Sequence, residues 1–356
     1  MFAAKFSDVH IEAVGLHMPD QQVTSAEIED KIAPVYEKLK VPFGTLEKLS
    51  GVASRGMFTR EETPSDVATL AAKKALSKVG FETSAIQTVI NCSVTRDYFE
   101  PATGVLVHEN LGLGENVMAM DITNACAGFS NGMFMVANLI QSGVIKAGLI
   151  VAGENLVHII DATFKELLEG EDKDKLTRGQ FLNMMPTFTL GSGAVAMVLC
   201  HSSIATKSHK LKASVARSAS QFKELCVGNG DFCFNQKLGL FPLMETNSQK
   251  LISSAAKLGG RTWKDASPYI DWTADDIDHI VCHQVGKLVN SNFYKTMRLP
   301  MEKEFTVYER YGNLVSAAMP SAFITAIQED VIQEGSNVLL TGFGSGLNSF
   351  FSAIEW

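Results

Sequence analysis

The chain repeats itself, and the repeat restricts the folds open to it more than any other feature. Ile86 to Cys92 is matched in the second half by Ile277-Asp278-His279-Ile280-Val281-Cys282-His283, an apolar strand pattern in each case. Asn124 to Ile140 has its counterpart in Gly312 to Phe323, a polar turn that enters an apolar helix. Gly148 to Glu154 is matched by Ser336 to Phe343, again a strand. A strand–helix–strand unit is expected to be parallel and right-handed. Two of them predict a pseudo-duplicated α/β architecture with functional groups where strand ends meet.

The first copy carries a cysteine at its turn. Val117 to Met120 reads as a strand, and Met133 to Ile140 is too uniformly apolar for an exposed helix, so a buried one closed by Ser142-Gly143 is expected. Cys126 then falls near a helix N-terminus, where free N–H groups and the positive dipole end are expected to lower its thiol pKa. A lone cysteine in an apolar setting is ordinarily a small core residue. Ala125, Ala127 and Gly128 argue for more, because they leave room for a substrate and backbone amides to approach.

With 356 residues the chain has ample material for a core, and 46% hydrophobic with 20% charged residues is a globular composition. A net charge of −8 without a Lys/Arg-rich run speaks against nucleic acid as a partner. No signal-like segment and no apolar run of about 20 residues stand out, so a cytoplasmic protein without a membrane span is expected. The six cysteines (Cys92, Cys126, Cys200, Cys226, Cys233, Cys282) form no C-x-x-C pair, which suggests neither a zinc site nor a disulfide framework.

Other elements follow from local signals. Val9 to Leu16 reads as the opening strand, and Thr24 starts a helix expected to run past Ile32 toward Leu39. Thr63-Pro64-Ser65-Asp66 caps a second helix, with a further role for Asp66 left open. Ile86 to Ser93 is followed by the turn-like Arg96 to Pro101. Residues 156–187 read as a charged, amphipathic insertion whose apolar members Phe181, Met184, Met185 and Phe188 either flank a solvated loop or line a greasy cavity. Gly191 to Leu199 is a strand without dinucleotide-binding glycine spacing.

The repeat places Cys126 and Asn313 at equivalent turns and His283 at a strand end. On its own His283 reads as a structural residue. A cysteine, a histidine and an amide together suit acyl transfer through a thioester, in which a thiolate attacks and N–H donors hold the developing charge.

Four segments, Asn124-Ala125-Cys126-Ala127-Gly128-Phe129, Cys282-His283-Gln284, Arg310 to Asn313 with Ser316-Ala317-Ala318, and Gly342 to Gly346, resemble in order and spacing the motif set of ketoacyl synthase III enzymes of the thiolase superfamily. The resemblance spans nearly the whole chain. It implies a thiolase fold, a five-layered αβαβα dimer, with a half at 1–206 that carries the nucleophile and the insertion at about 156–187, and a half at 207–356 that carries His283 and Asn313. It also implies that Cys126 accepts an acyl group from a coenzyme A thioester, that His283 and Asn313 stabilise an enolate, and that the amides of Cys126 and Ser345 form the oxyanion hole. Coenzyme A thioesters are then substrates, and no permanently bound cofactor is expected. Lys287 either meets a phosphate of coenzyme A or of a carrier protein, or is a plain surface lysine.

Departures from the family pattern set the subgroup. Thr45 and Leu49 stand where initiating synthases carry the Trp and Arg of a coenzyme A clamp. Glu100 replaces an apolar residue that crosses the dimer interface, and this, with the surrounding Val94 to Pro101, resembles OleA-type enzymes that join two acyl-CoA chains head to head. An unactivated acyl-CoA must lose an α-proton, so a general base is required, and Glu100, lent by the partner subunit, is expected to be that base. The alternative places Glu100 in a solvated loop beside Arg96. The expected activity is a non-decarboxylative Claisen condensation of two long-chain acyl-CoA thioesters. A synthase that extends an acyl chain with a malonyl thioester, acyl transfer to an oxygen or nitrogen acceptor, and a non-catalytic binding partner of the same fold are the alternatives. Downstream lipid enzymes or an acyl carrier protein are possible partners.

Overall fold

A computed structural model describes residues 2–229 and 243–356, with only the backbone at 229 and 288–290; Cys233 lies outside the described residues. Among the described residues nine strands follow one hydrogen-bonded path made of two mixed sheets, and a tenth pairs off that path. In the first, Val9–His17, Gly193–His201, Ala147–Glu154, Ile86–Asn91 and Met118–Asp121 lie side by side in that order. In the second the order is Lys210–Ser218, Asn348–Glu355, Asn337–Gly344 and His279–Cys282. Beyond His279–Cys282, a parallel bridge between Ile280 and Glu304 stands where the first sheet has Met118–Asp121. The two sheets meet at a single register pair, His10 with Lys210. The opening strand Phe2–Lys5 pairs with Lys210–Ser218 rather than with the first sheet.

Burial resolves the expected layers. Between the sheets lie the helices Gly128–Gln141 and Ala318–Gln328, which pack Phe129, Met133, Val136, Phe323 and Ile324 against Ile90, Val195 and Met197 on one side and Val281, Val338 and Leu340 on the other. Outside the first sheet, the helix Pro64–Leu76 covers Val89, Leu149 and Val198 with Val67 and an alanine-rich face. Outside the second, Ser248–Ile270 and Lys287–Met297 cover Leu339, Phe343 and Phe351. Helix, sheet, helix, sheet, helix is the thiolase architecture. Burial of a large apolar side chain contributes roughly 1.5–3 kcal/mol, so the doubly covered middle layer adds a large apolar share to the backbone pairing that joins the two halves.

One local expectation changes and one is met. The helix from Thr24 is two helices, Ser25–Lys31 and Ala33–Leu39, because Pro34 in the first turn of the second cannot donate the hydrogen bond that would continue the first. Asp66 is a cap: its carboxylate accepts from the Thr63 hydroxyl at 2.8 Å and its backbone N–H donates back to that oxygen at 3.2 Å. Among the described residues no helix is long and apolar enough to cross a membrane.

Candidate active site

The nucleophile turn is held by its backbone. The amide of Ala127 donates to the carbonyl of Asn124 at 3.0 Å, and that of Gly128 to Ala125 at 3.0 Å. Ala125 has a φ of 46°, the left-handed region, where a residue with a Cβ costs about 1–2 kcal/mol. That conformation turns the chain sharply and sets Cys126 just ahead of the helix Gly128–Gln141, whose N-terminus has no side-chain cap. Gly344 closes on this turn so tightly that a Cβ there would lie 2.9 Å from the Ala127 nitrogen. From the other side, Asn348 Nδ2 donates to Asn124 Oδ1 at 3.0 Å and to the carbonyl of Ser345 at 3.2 Å, which ties the loop of Ser345 to the cysteine turn.

His283 follows the strand His279–Cys282, and its amide donates to the carbonyl of Thr341 at 2.9 Å. The imidazole is only 4% exposed, and Nδ1 is buried without a protein partner. Burial lowers its pKa to about 4. It is therefore neutral near pH 7, so it donates one N–H and carries no charge. Asn313 sits after Gly312, whose φ of 69° favours glycine. Its Oδ1 accepts the amide of Val315 at 2.9 Å, which fixes the side-chain orientation and leaves Nδ2 as the free donor. Asn313 also exchanges backbone bonds with the segment Thr189–Gly191, at 2.9 and 3.1 Å.

Above the cysteine lies a fourth apolar cluster. The insertion forms the helices Val157–Glu169 and Arg178–Met184, and its Phe181, Met184, Met185 and Phe188 are buried with Ile28, Tyr36, Leu46 and Val315. Cys126 packs against this cluster while keeping part of its own surface open. The four apolar residues thus belong to a cap over the thiol, and the charge run 169–175 is its solvated rim.

The cap overturns one expectation. The Cys126 thiol pKa is pushed up, not lowered: desolvation is the main cause, and the nearby Cys226 and Glu154 add to it, against a smaller opposing backbone hydrogen bond. The helix N-terminus acts on a thiol that its surroundings keep dry, and in such surroundings the neutral form wins.

Glu100 and Lys287 are exposed in the chain. Glu100 follows Tyr98 and Phe99, the latter 82% exposed, on a loop anchored at its root by Asp97, which accepts from the Ser65 hydroxyl at 2.7 Å. Lys287 opens the helix Lys287–Met297 beside Gly51, where a Cβ would lie 3.3 Å from Lys287 Cβ. Thr45 and Leu49 lie on the neighbouring short helix Thr45–Ser50, with Leu49 48% exposed. Among the described residues no group of three metal-ligating side chains exists.

Glu154 was not singled out by its sequence. It ends the wholly buried strand Ala147–Glu154, is itself 0% exposed, and accepts from the amides of Val94 and Thr95 and the hydroxyls of Thr95 and Ser316. The only signal was a carboxylate closing an otherwise apolar strand.

A five-layered fold with a cysteine at the entry to one buried helix and an asparagine before the other defines a thiolase-type acyltransferase. The chain belongs to the 3-oxoacyl-[acyl-carrier-protein] synthase III family: the model of that family matches residues 120–220, and its C-terminal model matches 270–356. The chain is 31% identical to the acyl-CoA:acyl-CoA alkyltransferase of Shewanella oneidensis over 99% of its own length and 100% of the relative's, and 31% identical to that of Xanthomonas campestris over 99% of each. It is 26% identical to a beta-ketoacyl-[acyl-carrier-protein] synthase III of Clostridium perfringens over 94% of each. A crystal structure of a cysteine-to-serine variant of Xanthomonas campestris OleA with bound lauric acid and lauroyl-CoA aligns with a TM-score of 0.90 at 30% identity, covering 99% of this chain and 100% of that one.

Proposed function

We propose that the chain catalyses the non-decarboxylative Claisen condensation of two long-chain acyl-CoA thioesters. The observation that carries this reading is its end-to-end likeness to two acyl-CoA:acyl-CoA alkyltransferases, joined to a carboxylate, Glu100, on an exposed loop. Cys126 gives up its proton as its sulfur attacks the first thioester carbonyl, and coenzyme A leaves as the thiol. The amides of Cys126 and Ser345 hold the oxyanion; one such donor is typically worth about 3–4 kcal/mol. Glu100 then takes the α-proton of the second acyl-CoA. The N–H of neutral His283 and Nδ2 of Asn313 hold the enolate oxygen, each donating one hydrogen bond. The enolate carbon attacks the acyl-Cys126 carbonyl, and the cysteine sulfur departs, leaving a 2-alkyl-3-ketoacyl product.

Glu100 serves a second copy of the chain in this reading. The edge strand Met118–Asp121 has a single strand neighbour, and the loop and helix beside it expose Tyr98, Phe99 and Val105, as the strand itself exposes Met118. An open edge with an apolar border suits a homodimer. The methionines of the cap suit long acyl chains, since their unbranched side chains repack readily. Lys287 meets a phosphate of coenzyme A at the mouth, and the cytoplasm supplies the acyl-CoA. Incubation with one long acyl-CoA alone is expected to release coenzyme A and, after decarboxylation, a ketone. Absence of both, or strict dependence on a malonyl thioester, overturns the reading.

A further inference from the structure

Glu154 is a buried carboxylate that the proposed reaction does not use, and its partners lie on the two segments that carry opposite parts of that reaction. One oxygen accepts the amide of Val94 at 2.8 Å and the Ser316 hydroxyl at 2.5 Å; the other accepts the amide and hydroxyl of Thr95 at 3.0 and 2.8 Å. Val94 and Thr95 are the root of the loop that leads to Glu100. Ser316 lies in the turn Val315–Ala317, directly after the Val315 amide that orients the Asn313 side chain. No ion pair of Glu154 occurs among the described residues. A carboxylate this dry is costly unless every lone pair is engaged, so a group placed here purely as filler would be better apolar.

We propose that Glu154 is the positioning residue for the condensation step: it ties the turn of Asn313 to the root of the Glu100 loop and so fixes enolate stabiliser and base in register. The assignment rests on the condensation reading above. If Glu100 serves the partner subunit, one carboxyl orders a donor in its own site and the base of the next. Acyl transfer to Cys126 needs neither Asn313 nor Glu100, so loosening Glu154 separates the two half-reactions.

Each arm is opened singly, since Glu154→Gln sets an amide N–H against a backbone N–H and risks misfolding. Ser316→Ala removes the short hydroxyl bond of the Asn313 arm and leaves only the Ser316 amide, at 3.4 Å. Thr95→Val removes the hydroxyl of the Glu100 arm, and Thr95→Ser restores it. Transfer is read as the rate of acyl-Cys126 formation within the first turnover by intact mass, and condensation as ketone formed after decarboxylation. The expected result is condensation down by roughly tenfold or more in Ser316→Ala and Thr95→Val, transfer within about twofold of wild type, and recovery in Thr95→Ser. Equal loss of both steps, loss of neither, or unfolding of the single-arm variants overturns the assignment. A wild type that acylates Cys126 and yields no ketone overturns the condensation reading itself, and this assignment with it.

Discussion

The two equivalent turns, one ending at Cys126 and the other built around Asn313, differ in whether the functional side chain itself takes part in holding them. The first is secured by backbone: amide-to-carbonyl bonds, a left-handed Ala125, and the bare Cα of Gly344 pressed against it. The second has backbone bonds too, to Thr189–Gly191, but it also uses its own functional side chain as an anchor, with Asn313 Oδ1 on the Val315 amide, and adds the Ser316 hydroxyl on Glu154. A turn that must present a reactive atom cannot spend that side chain on structure, so its main chain does the holding. A turn that supplies a hydrogen-bond donor can use one end of the same amide as its anchor.

The sharpest break of this comparison is Cys126→Ala. It should remove acylation and condensation together, a loss of at least ~10³-fold, with no adduct by mass spectrometry and an unchanged fold. Asn313→Ala should cost about 10²–10³-fold in condensation while acyl-Cys126 still forms, because only the enolate loses its donor. Equal loss of both steps would erase the distinction between the turns. His283 follows the strand that pairs with the one ending at Gly344, and it gives a pH signature. Its unfolded pKa is near 6.5 and its folded pKa about 4, so the unfolded chain binds the proton first. Stability should fall by up to about 3 kcal/mol as pH drops from 6.5 to 4, and His283→Gln should flatten that slope in urea titrations. The smallest effect is expected from Gly344→Ala, whose Cβ would meet the Ala127 backbone nitrogen at 2.9 Å and force the cysteine turn to move. A destabilisation of roughly 1–3 kcal/mol with a lowered acylation rate is the expected outcome.

Much of this was legible in the chain because it is local. The periodicity of Ile86 to Cys92 and of Ala147 to Glu154, the cap at Thr63 and the polar turns before two apolar helices all depend on near neighbours. The antiparallel partners Lys210–Ser218 and Asn348–Glu355 were not assembled from the sequence, since their pairing with each other joins residues far apart in the chain. The thiol of Cys126 was misread for the same reason. Its helix N-terminus is written two residues away, whereas its desolvation comes from Phe181, Phe188 and other cap residues contributed by distant segments. Glu154 escaped notice because its meaning lies wholly in partners at positions 94, 95 and 316.

The middle helices carry a consequence for how such a protein can change over time. All nine residues from Ala318 to Ala326 are buried, and the first-half helix is walled by the same two sheets. Over those nine residues the second-half helix has no solvent side on which a substitution could drift unnoticed, whereas the first-half helix exposes Met135, so a change along the second is registered by both sheets at once. Variation in chemistry is thereby confined to the helix mouths, the cap and the exposed loops. New substrate preferences can arise there while the scaffold that aims the cysteine stays as it was.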